Sequence, residues 1–307
     1  MTLITVAANF AFVVQVADRR LTGSTGPLPA EQTKAIHFHL PNADLLVGYT
    51  GLAAAGSNPM NRLLMEVLAE SARQGSFELL PTAEAITANL NKLFQRRLLR
   101  MYQPQDRRLS LMMTGFHRLH DDRHTIVQGL WTNFQDWSVQ DAPVAWDEFV
   151  FTPLSVKAGE SWPTLVQRIG AYDAIPQDVV ERELRPLLAP GRPPAAVRDK
   201  VLRALPAQSA LHPTVGVNAN AAILLSNGGV EWTYWTGAPS WMHSTGNTVL
   251  ATPEQDLMVA DFEMYAVDAE GNPAQIGPPM VVPQVPRNRP CPCGSRKRYR
   301  QCHGRRP

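Results

Sequence analysis

The sequence has no cysteine among its first 290 residues, because all three cysteines lie between Cys291 and Cys302. A disulfide framework in the body of the chain is therefore excluded. No apolar run approaches the roughly 20 residues that a membrane-spanning helix requires. The first residues also lack the basic flank and long apolar core of a signal peptide. We therefore expect a cytoplasmic protein with no membrane-embedded part.

Acidic residues are missing from the last part of the chain, residues 287–307, which contains eight of the 29 basic residues. The rest of the chain therefore has 21 basic and 27 acidic residues, so the formal net charge of +2 combines a negative body with a strongly positive tail. This separation predicts different roles for the two parts, and the tail suits an anionic partner. Six prolines between Ala269 and Pro290 predict a semi-extended linker before the tail.

The start of the chain is rich in β-branched residues. Thr2–Ala8 and Ala11–Ala17 are separated by only two residues, which predicts a β-hairpin. A three-residue loop would set Thr2 opposite Asp18, with both side chains on one face of the sheet, whereas a two-residue loop would set Ala17 there.

Two further candidate site residues follow the hairpin. The segment Gly23–Pro29 predicts a polar loop, and Lys34 then directly precedes a strand-like run at Ala35–Leu40. Gly48 lies in the segment Leu45–Gly51, where a predicted strand gives way to a turn.

The position of Thr2, directly after Met1, makes its hydroxyl a candidate nucleophile. A threonine hydroxyl is a poor nucleophile unless a base removes its proton, and an α-amine on the same residue, with a pKa of about 8, can do so. Removal of Met1 would create that amine, and the small side chain of Thr2 favours this removal.

The other residues can support such a nucleophile. A Lys34 ammonium near the hydroxyl would favour its deprotonated form, and the Asp18 carboxylate would keep that lysine charged and in place. We expect Arg20 to brace Asp18. A backbone N–H at Gly48 can approach a substrate oxyanion closely because glycine has no Cβ.

This set resembles the active-site framework of proteasome-type N-terminal nucleophile (Ntn) hydrolases. The resemblance covers roughly residues 2–134 and implies catalysis through Thr2, with Asp18, Lys34 and Gly48 as supporting residues. It also implies a homo-oligomer, because members of the family form rings. Taken one at a time, each residue has an ordinary structural explanation, so a catalytically inactive protein of the same fold stays an alternative.

Later segments predict helices and strands in an order that fits this family. Helices are predicted at Asn58–Ala72, from Thr82, from Ser161, at Pro176–Leu184 and at Pro194–Ala204; strands are predicted at Leu109–Phe116, His124–Phe134, Glu148–Thr152, Val217–Leu225 and Val230–Trp235. The order predicts an α+β fold, a four-layer αββα sandwich, for a domain spanning residues 1–268.

One feature departs from the active site that the family resemblance implies. Family members usually support the nucleophile with an aspartate and serines before the strand that corresponds to Val217–Leu225, but Ser209–Gly216 contains no aspartate.

His37 and His39 lie on one face of a predicted strand, where two metal ligands could lie, but no Cys, Asp or Glu accompanies them at ligand spacing. We interpret them as strand-surface histidines.

The tail contains the most specific motif. It begins with Cys291-Pro-Cys293-Gly-Ser and ends with Cys302-His303-Gly, and eight residues separate Cys293 from Cys302. Three thiolates and one imidazole form a closed tetrahedral shell for a structural Zn²⁺ ion, and the metal would supply the folding energy of so short a segment. The spacing resembles the SEC-C zinc knuckle named after the SecA C-terminus. The predicted units are a linker at 269–288 and a knuckle at 289–307.

The sequence as a whole predicts a threonine-type Ntn amide or peptide hydrolase that acts on a peptide or acyl-amide substrate. Its zinc knuckle would recruit a substrate or partner. The alternative is a catalytically inactive binding protein of the Ntn fold, whose basic knuckle engages the ribosome, nucleic acid or an acidic protein.

Overall fold

The computed structural model describes residues 2–23, 26–55, 58–119, 124–135, 144–155, 163–171, 175–236, 241–243, 246–253, 256–259, 265–267 and 273–275. The predicted knuckle at 289–307 and most of the predicted linker lie outside these residues.

The described strands and helices alternate in groups along the chain. The strands are β1 Leu3–Ala8, β2 Phe12–Asp18, β3 Arg20–Gly23, β4 Gly26–Glu31, β5 Ala35–Leu40, β6 Ala43–Gly51, β7 Ala54–Ala55, β8 Asn58–Pro59, β9 Leu109–Arg118, β10 His124–Thr132, β11 Val150–Ser155, β12 Leu165–Gly170, β13 Ala219–Leu225, β14 Val230–Trp235, β15 Trp241–His243, β16 Asn247–Ala251, β17 Asp256–Val259, β18 Tyr265–Val267 and β19 Pro273–Gln275. The α-helices are α1 Met60–Gln74, α2 Leu79–Leu93, α3 Leu99–Met101, α4 Gln177–Leu184 and α5 Pro194–Leu211. A π-helical turn spans Phe94–Leu98, and 3₁₀ turns span Pro104–Asp106 and Arg185–Leu188. Among the described residues, no helix has the length and apolar character needed to cross a bilayer.

The strands form two large sheets. One has six strands in the order β12-β1-β2-β13-β14-β15, and the other has seven in the order β11-β10-β9-β6-β5-β16-β17. The pairs within these sheets are antiparallel apart from β16 with β5, which is parallel. The fold is therefore mixed α+β, as the sequence predicts.

Three clusters of buried apolar residues give the order of the layers. One joins the seven-stranded sheet to α1 and α2, the second joins the six-stranded sheet to α4 and α5, and the third lies between the two sheets. In β1, Leu3 and Ala7 belong to the helix-side cluster, while Ile4 and Val6 belong to the cluster between the sheets. Successive side chains of a strand point to opposite faces, so both faces of β1 are buried. The result is the predicted four-layer order of helices, sheet, sheet and helices.

The register of the first hairpin differs from both predicted registers. Ile4 pairs with Ala17, so the same register continues to place Thr2 opposite Arg19. The predictions that Thr2 lies opposite Asp18 or Ala17 are therefore wrong.

The turn of this hairpin explains the shift. The Asn9 N–H donates to the Phe12 carbonyl at 3.0 Å. The Asn9 side-chain oxygen accepts from the N–H groups of Ala11 and Phe12 at 2.9 and 3.0 Å. An Asn side chain that bonds to the following backbone fixes a turn. Four residues, 9–12, lie between the paired Ala8 and Val13, one more than in the longer predicted loop.

Two local predictions are also wrong. The helix predicted from Ser161 is absent from the described residues of that region, where Leu165–Gly170 forms β12 and pairs with β1 along its whole length. Sheet pairing with β1 overrides the local helical signal of Pro163. The predicted polar loop at Gly23–Pro29 contributes to the paired strands β3 and β4. The other predicted helices and strands are present, with ends that differ by up to seven residues, the largest difference being at the end of α5.

Candidate active site

Thr2 lies immediately before β1 and is buried, with 2% of its surface exposed. Its backbone N–H donates to the Thr50 hydroxyl oxygen at 3.1 Å, and the Thr50 hydroxyl donates to the Thr2 carbonyl at 3.0 Å. The Ala171 N–H also donates to that carbonyl at 3.0 Å. Three hydrogen bonds, made by the Thr50 hydroxyl and the Ala171 N–H, therefore fix both backbone polar atoms of Thr2.

Lys34 lies beside the Thr2 side chain. Its Nζ atom contacts Thr2 Oγ1 and the Arg20 carbonyl oxygen. The same Nζ lies 3.8 Å from Asp18 Oδ1, and both side chains of this ion pair are almost completely buried. The strand order β1-β2, with β5 in the facing sheet, brings these three residues together.

Backbone N–H groups hold the Asp18 carboxylate in position. Leu3 donates to Oδ2 at 2.6 Å, while Arg20 and Gly216 donate to Oδ1 at 3.0 and 3.1 Å. Hydrogen bonds to a carboxylate stabilise its charged form. The Leu3 bond also ties the carboxylate to the residue next to Thr2, so Asp18 fixes the start of β1 as well as Lys34.

Burial has the largest effect on the pKa values of Asp18 and Lys34. Burial raises the pKa of Asp18, against the lowering effect of Lys34 and of the three N–H donors. Burial likewise lowers the pKa of Lys34 from its ordinary value, against the raising effect of Asp18. Strongly shifted groups that face one another are typical of functional sites.

Gly48 lies in β6, where it pairs with Ala35 on one side and Met112 on the other. A Cβ at Gly48 would approach Ile4 Cδ1 and Gln15 Nε2 at 3.0 Å, so the glycine allows close packing between the sheets. The Tyr49 N–H donates to the Lys34 carbonyl. Because N–H groups alternate along a strand, the Gly48 N–H points toward β9, away from Lys34.

Gly51 lies three residues further along β6. The same alternation turns its N–H to the β5 side of the strand, which is the side that carries Lys34. Its φ of +104° also suits glycine. Gly51 is therefore a second candidate donor beside the predicted Gly48.

Arg20 has a different role from the predicted one. Its guanidinium donates to the Pro213 carbonyl at 2.8 Å, and it is its backbone N–H that donates to Asp18. The segment before β13, where the sequence has no aspartate, supplies the Gly216 N–H to the same carboxylate. Sequence reasoning also missed Thr50, because a threonine in a strand carries no distinctive signal.

Gly170 offers a test of how tightly Thr2 is held. Its φ is +89°, and an added Cβ would lie 1.7 Å from the Thr2 carbonyl oxygen. Gly191 also has a positive φ, of +77°, but an added Cβ there meets nothing within 4 Å. We expect Gly191→Ala to cost about 1–2 kcal/mol of stability from backbone strain, and Gly170→Ala to cost about 2–5 kcal/mol because the clash is added.

Urea unfolding of the two alanine variants measures this difference. Equal losses of stability would show that the Thr2 carbonyl moves aside freely, which would contradict a rigid position for Thr2.

The described fold and site define a mixed α+β protein of two packed sheets with a buried Thr–Lys–Asp cluster. Outside this part, residues 287–305 match the family model described as the SEC-C motif, so the predicted C-terminal motif is confirmed. Protein translocase subunit SecA of Thiobacillus denitrificans is 56% identical over 46 residues, which are 15% of this chain and 5% of that protein. SecA of Burkholderia lata is 62% identical over 54 residues, which are 17% of this chain and 6% of that protein. The chain therefore spans about a twentieth of the length of these curated relatives.

Solved structures with similar chains include Anbu (ancestral beta-subunit) from Yersinia bercovieri. It is 13% identical, with 74% of this chain and 83% of that chain covered and a TM-score of 0.45. The helical assembly of the Anbu complex from Pseudomonas aeruginosa is 12% identical, with 76% and 86% covered and a TM-score of 0.47.

Proposed function

We propose that this chain is a threonine-type Ntn hydrolase that cleaves an amide bond in a peptide or acyl-amide substrate. The contact between Lys34 Nζ and Thr2 Oγ1 carries the proposal, because it joins a buried cation to the one hydroxyl that can become N-terminal. The Asp18 carboxylate, 3.8 Å from that cation, completes the cluster.

The reaction follows from the groups around Thr2. Removal of Met1 converts the Thr2 nitrogen from an amide into an α-amine, which takes the proton of the Thr2 hydroxyl as Oγ1 attacks the substrate carbonyl. The tetrahedral intermediate collapses when the amine passes that proton to the leaving nitrogen, and the C–N bond breaks. A water molecule then hydrolyses the resulting ester and regenerates the threonine. Thr50, which accepts from the Thr2 nitrogen, orients the base.

The oxyanion of the intermediate requires a backbone donor. The sequence predicts Gly48 for this role, but the β6 alternation turns the Gly51 N–H to the Lys34 side. We therefore favour Gly51 as the donor and assign Gly48 to packing between the sheets.

Intact-mass spectrometry tests the nucleophile. Protein purified without an N-terminal tag is expected to lack Met1 and to take up one equivalent of an electrophile selective for N-terminal threonine. Peptide mapping should place the adduct on Thr2. Thr2→Ala should abolish the adduct, while Thr5→Ala, a substitution of another buried threonine close to Thr2 in the chain, should leave it unchanged.

Two outcomes would contradict the proposal. Retained Met1 would leave Thr2 without an α-amine. An N-terminal Thr2 that does not react with the electrophile would show that the cluster does not activate its hydroxyl.

The remaining predictions concern the units of the chain. We propose a hydrolase domain at 1–268, a linker at 269–288 and a zinc knuckle at 289–307, with Cys291, Cys293, Cys302 and His303 as the ligands of one structural Zn²⁺. A homo-oligomer and a cytoplasmic location stay predictions of the family resemblance and of the sequence.

A second candidate function is favoured by the SEC-C match and the basic tail. In this alternative the Ntn-type body is catalytically inactive, and the knuckle engages the ribosome, nucleic acid or an acidic protein. Cys302→Ser should then abolish partner binding with the body intact, while Thr2→Ala should have no effect on any activity of the protein.

A further inference from the structure

A second polar cluster lies between the two sheets, near the other end of β5. His37 and His39 lie two residues apart in β5 and share one face, and the β5–β6 hairpin pairs His39 directly with Asp44. The sequence interpretation missed this acid because it comes from the next strand. His37 and His39 lie three and five residues from Lys34, about 10 and 16 Å along an extended strand, so this cluster is separate from the Thr2 site.

The donor atoms of the three residues converge. Asp44 Oδ1 lies 2.5 Å from His39 Nδ1 and 3.5 Å from His37 Nε2. All three atoms lie within 4.8 Å of one another. Ligands at about 2.0–2.1 Å from a tetrahedral ion are separated by roughly 3.3 Å, so shifts on the order of an ångström would bring the three atoms to one ion.

His37 provides an independent indication of a missing partner. Its Nε2 atom is buried and has no hydrogen-bond partner among the described residues, and the residue is 8% exposed. A buried polar atom without a partner is costly. Nε2 lies 3.5 Å from Asp44 Oδ1, at the long limit of a hydrogen bond, so an ion bound between the two atoms would give both a closer partner.

Arg118 influences the charge of the cluster. Its guanidinium contacts Asp44 Oδ2, the oxygen that does not face the histidines. The carboxylate can therefore keep this partner while Oδ1 binds an ion. Partners of this kind on the outer oxygen orient ligating carboxylates in metal sites.

We propose that His37, His39 and Asp44 bind one divalent transition-metal ion of the zinc class. Two imidazole nitrogens and one carboxylate oxygen suit zinc and leave a fourth position for water. The ion would replace the short bond between His39 and Asp44, and the proton of the neutral imidazole would then be carried by Nε2, which leaves Nδ1 free to bind the metal. It would tie β5 to β6 and so stabilise the body.

The test must separate this site from the knuckle. Full-length protein with Cys291, Cys293 and Cys302 all replaced by serine has no thiolate ligands left, because these are its only cysteines. Titrated with Co²⁺, this variant is expected to bind one equivalent, with visible d–d absorption and no thiolate charge-transfer band. Zn²⁺ should displace the Co²⁺ and raise the melting temperature.

Two single substitutions in the cysteine-free background locate the ion. His39→Gln and His37→Gln are each expected to weaken Co²⁺ binding at least about tenfold. The control is His117→Gln in the neighbouring strand β9, which should bind as the parent does. Circular dichroism melting checks that each variant is folded, and having two separate ligand variants keeps the test valid if one of them unfolds.

Absence of Co²⁺ binding in the cysteine-free protein would overturn the proposal. Binding that persists unchanged in both folded histidine variants would overturn it as well. Neither result bears on Thr2, whose labelling is measured in protein that keeps His37 and His39.

Discussion

Replacing Asp18 with alanine is expected to lower the free energy of unfolding by about 3–5 kcal/mol, the usual loss when one partner of a buried ion pair is removed. The substitution leaves Lys34 Nζ buried without its carboxylate and leaves the N–H groups of Leu3, Arg20 and Gly216 without an acceptor. Urea unfolding followed by circular dichroism measures the loss.

Two comparisons identify the cause of that loss. Asp199→Ala removes a carboxylate from a partly exposed ion pair with Arg198 and should change stability by less than about 1 kcal/mol. Combining Asp18→Leu with Lys34→Met removes both buried charges and should recover part of the stability. A loss in Asp18→Ala no larger than in Asp199→Ala would show that the buried pair contributes little to the fold.

Replacing Lys34 with methionine is expected to slow the electrophilic modification of Thr2 by about 10²–10⁴-fold, the range typical of a group that assists proton transfer. Methionine keeps an apolar stem of similar length but removes the cation that contacts Thr2 Oγ1. The rate is measured by mass spectrometry over time. Lys200→Met, which removes a half-exposed lysine on α5, should leave the rate unchanged.

The pH dependence separates the charge of Lys34 from its position. The rate should rise as the Thr2 amine loses its proton near its ordinary pKa of about 8. It should fall again once Lys34 loses its charge. Since burial lowers the pKa of Lys34, this fall begins below the ordinary lysine value of about 10.4.

Arginine at position 34 stays charged throughout this range. In Lys34→Arg the alkaline fall in the rate should therefore disappear or move to higher pH. An unchanged alkaline limb in Lys34→Arg would show that another group titrates there, and an unchanged rate in Lys34→Met would exclude Lys34 from the site.

Much of the fold could be predicted because its signals are local. The apolar and β-branched runs of β1, β2, β5 and β6 predict strands, and the apolar periodicity of α1 and α2 predicts helices on one side of them. The β12 segment was predicted as a helix because Pro163 suits a first turn. Its pairing with β1 joins residues that are 157 to 167 positions apart, which no local pattern contains.

The candidate site was predictable in its members but not in its geometry. The order of Thr2, Asp18 and Lys34 along the chain indicated a cluster, and the structure brings the three side chains together. The hairpin register, however, depended on the Asn9 side chain, whose hydrogen bonds fix a turn one residue longer than the longer predicted loop. That shift places Leu3 beside Asp18, so Leu3 donates to the carboxylate in a way that the predicted registers did not include.

The sequence by itself determined the features that lie within a few residues of one another. These are the alternation of each strand, the face shared by His37 and His39, the charge of the tail and the SEC-C motif, whose spacing is read along the chain. Only the tertiary structure decided that Thr50, Gly216 and Asp44 complete the two polar clusters. Thr50 and Gly216 reach their partners across 48 and 198 residues. Asp44 meets the histidines through the β5–β6 register, because strand pairing and sheet packing, and not spacing along the chain, set which side chains meet.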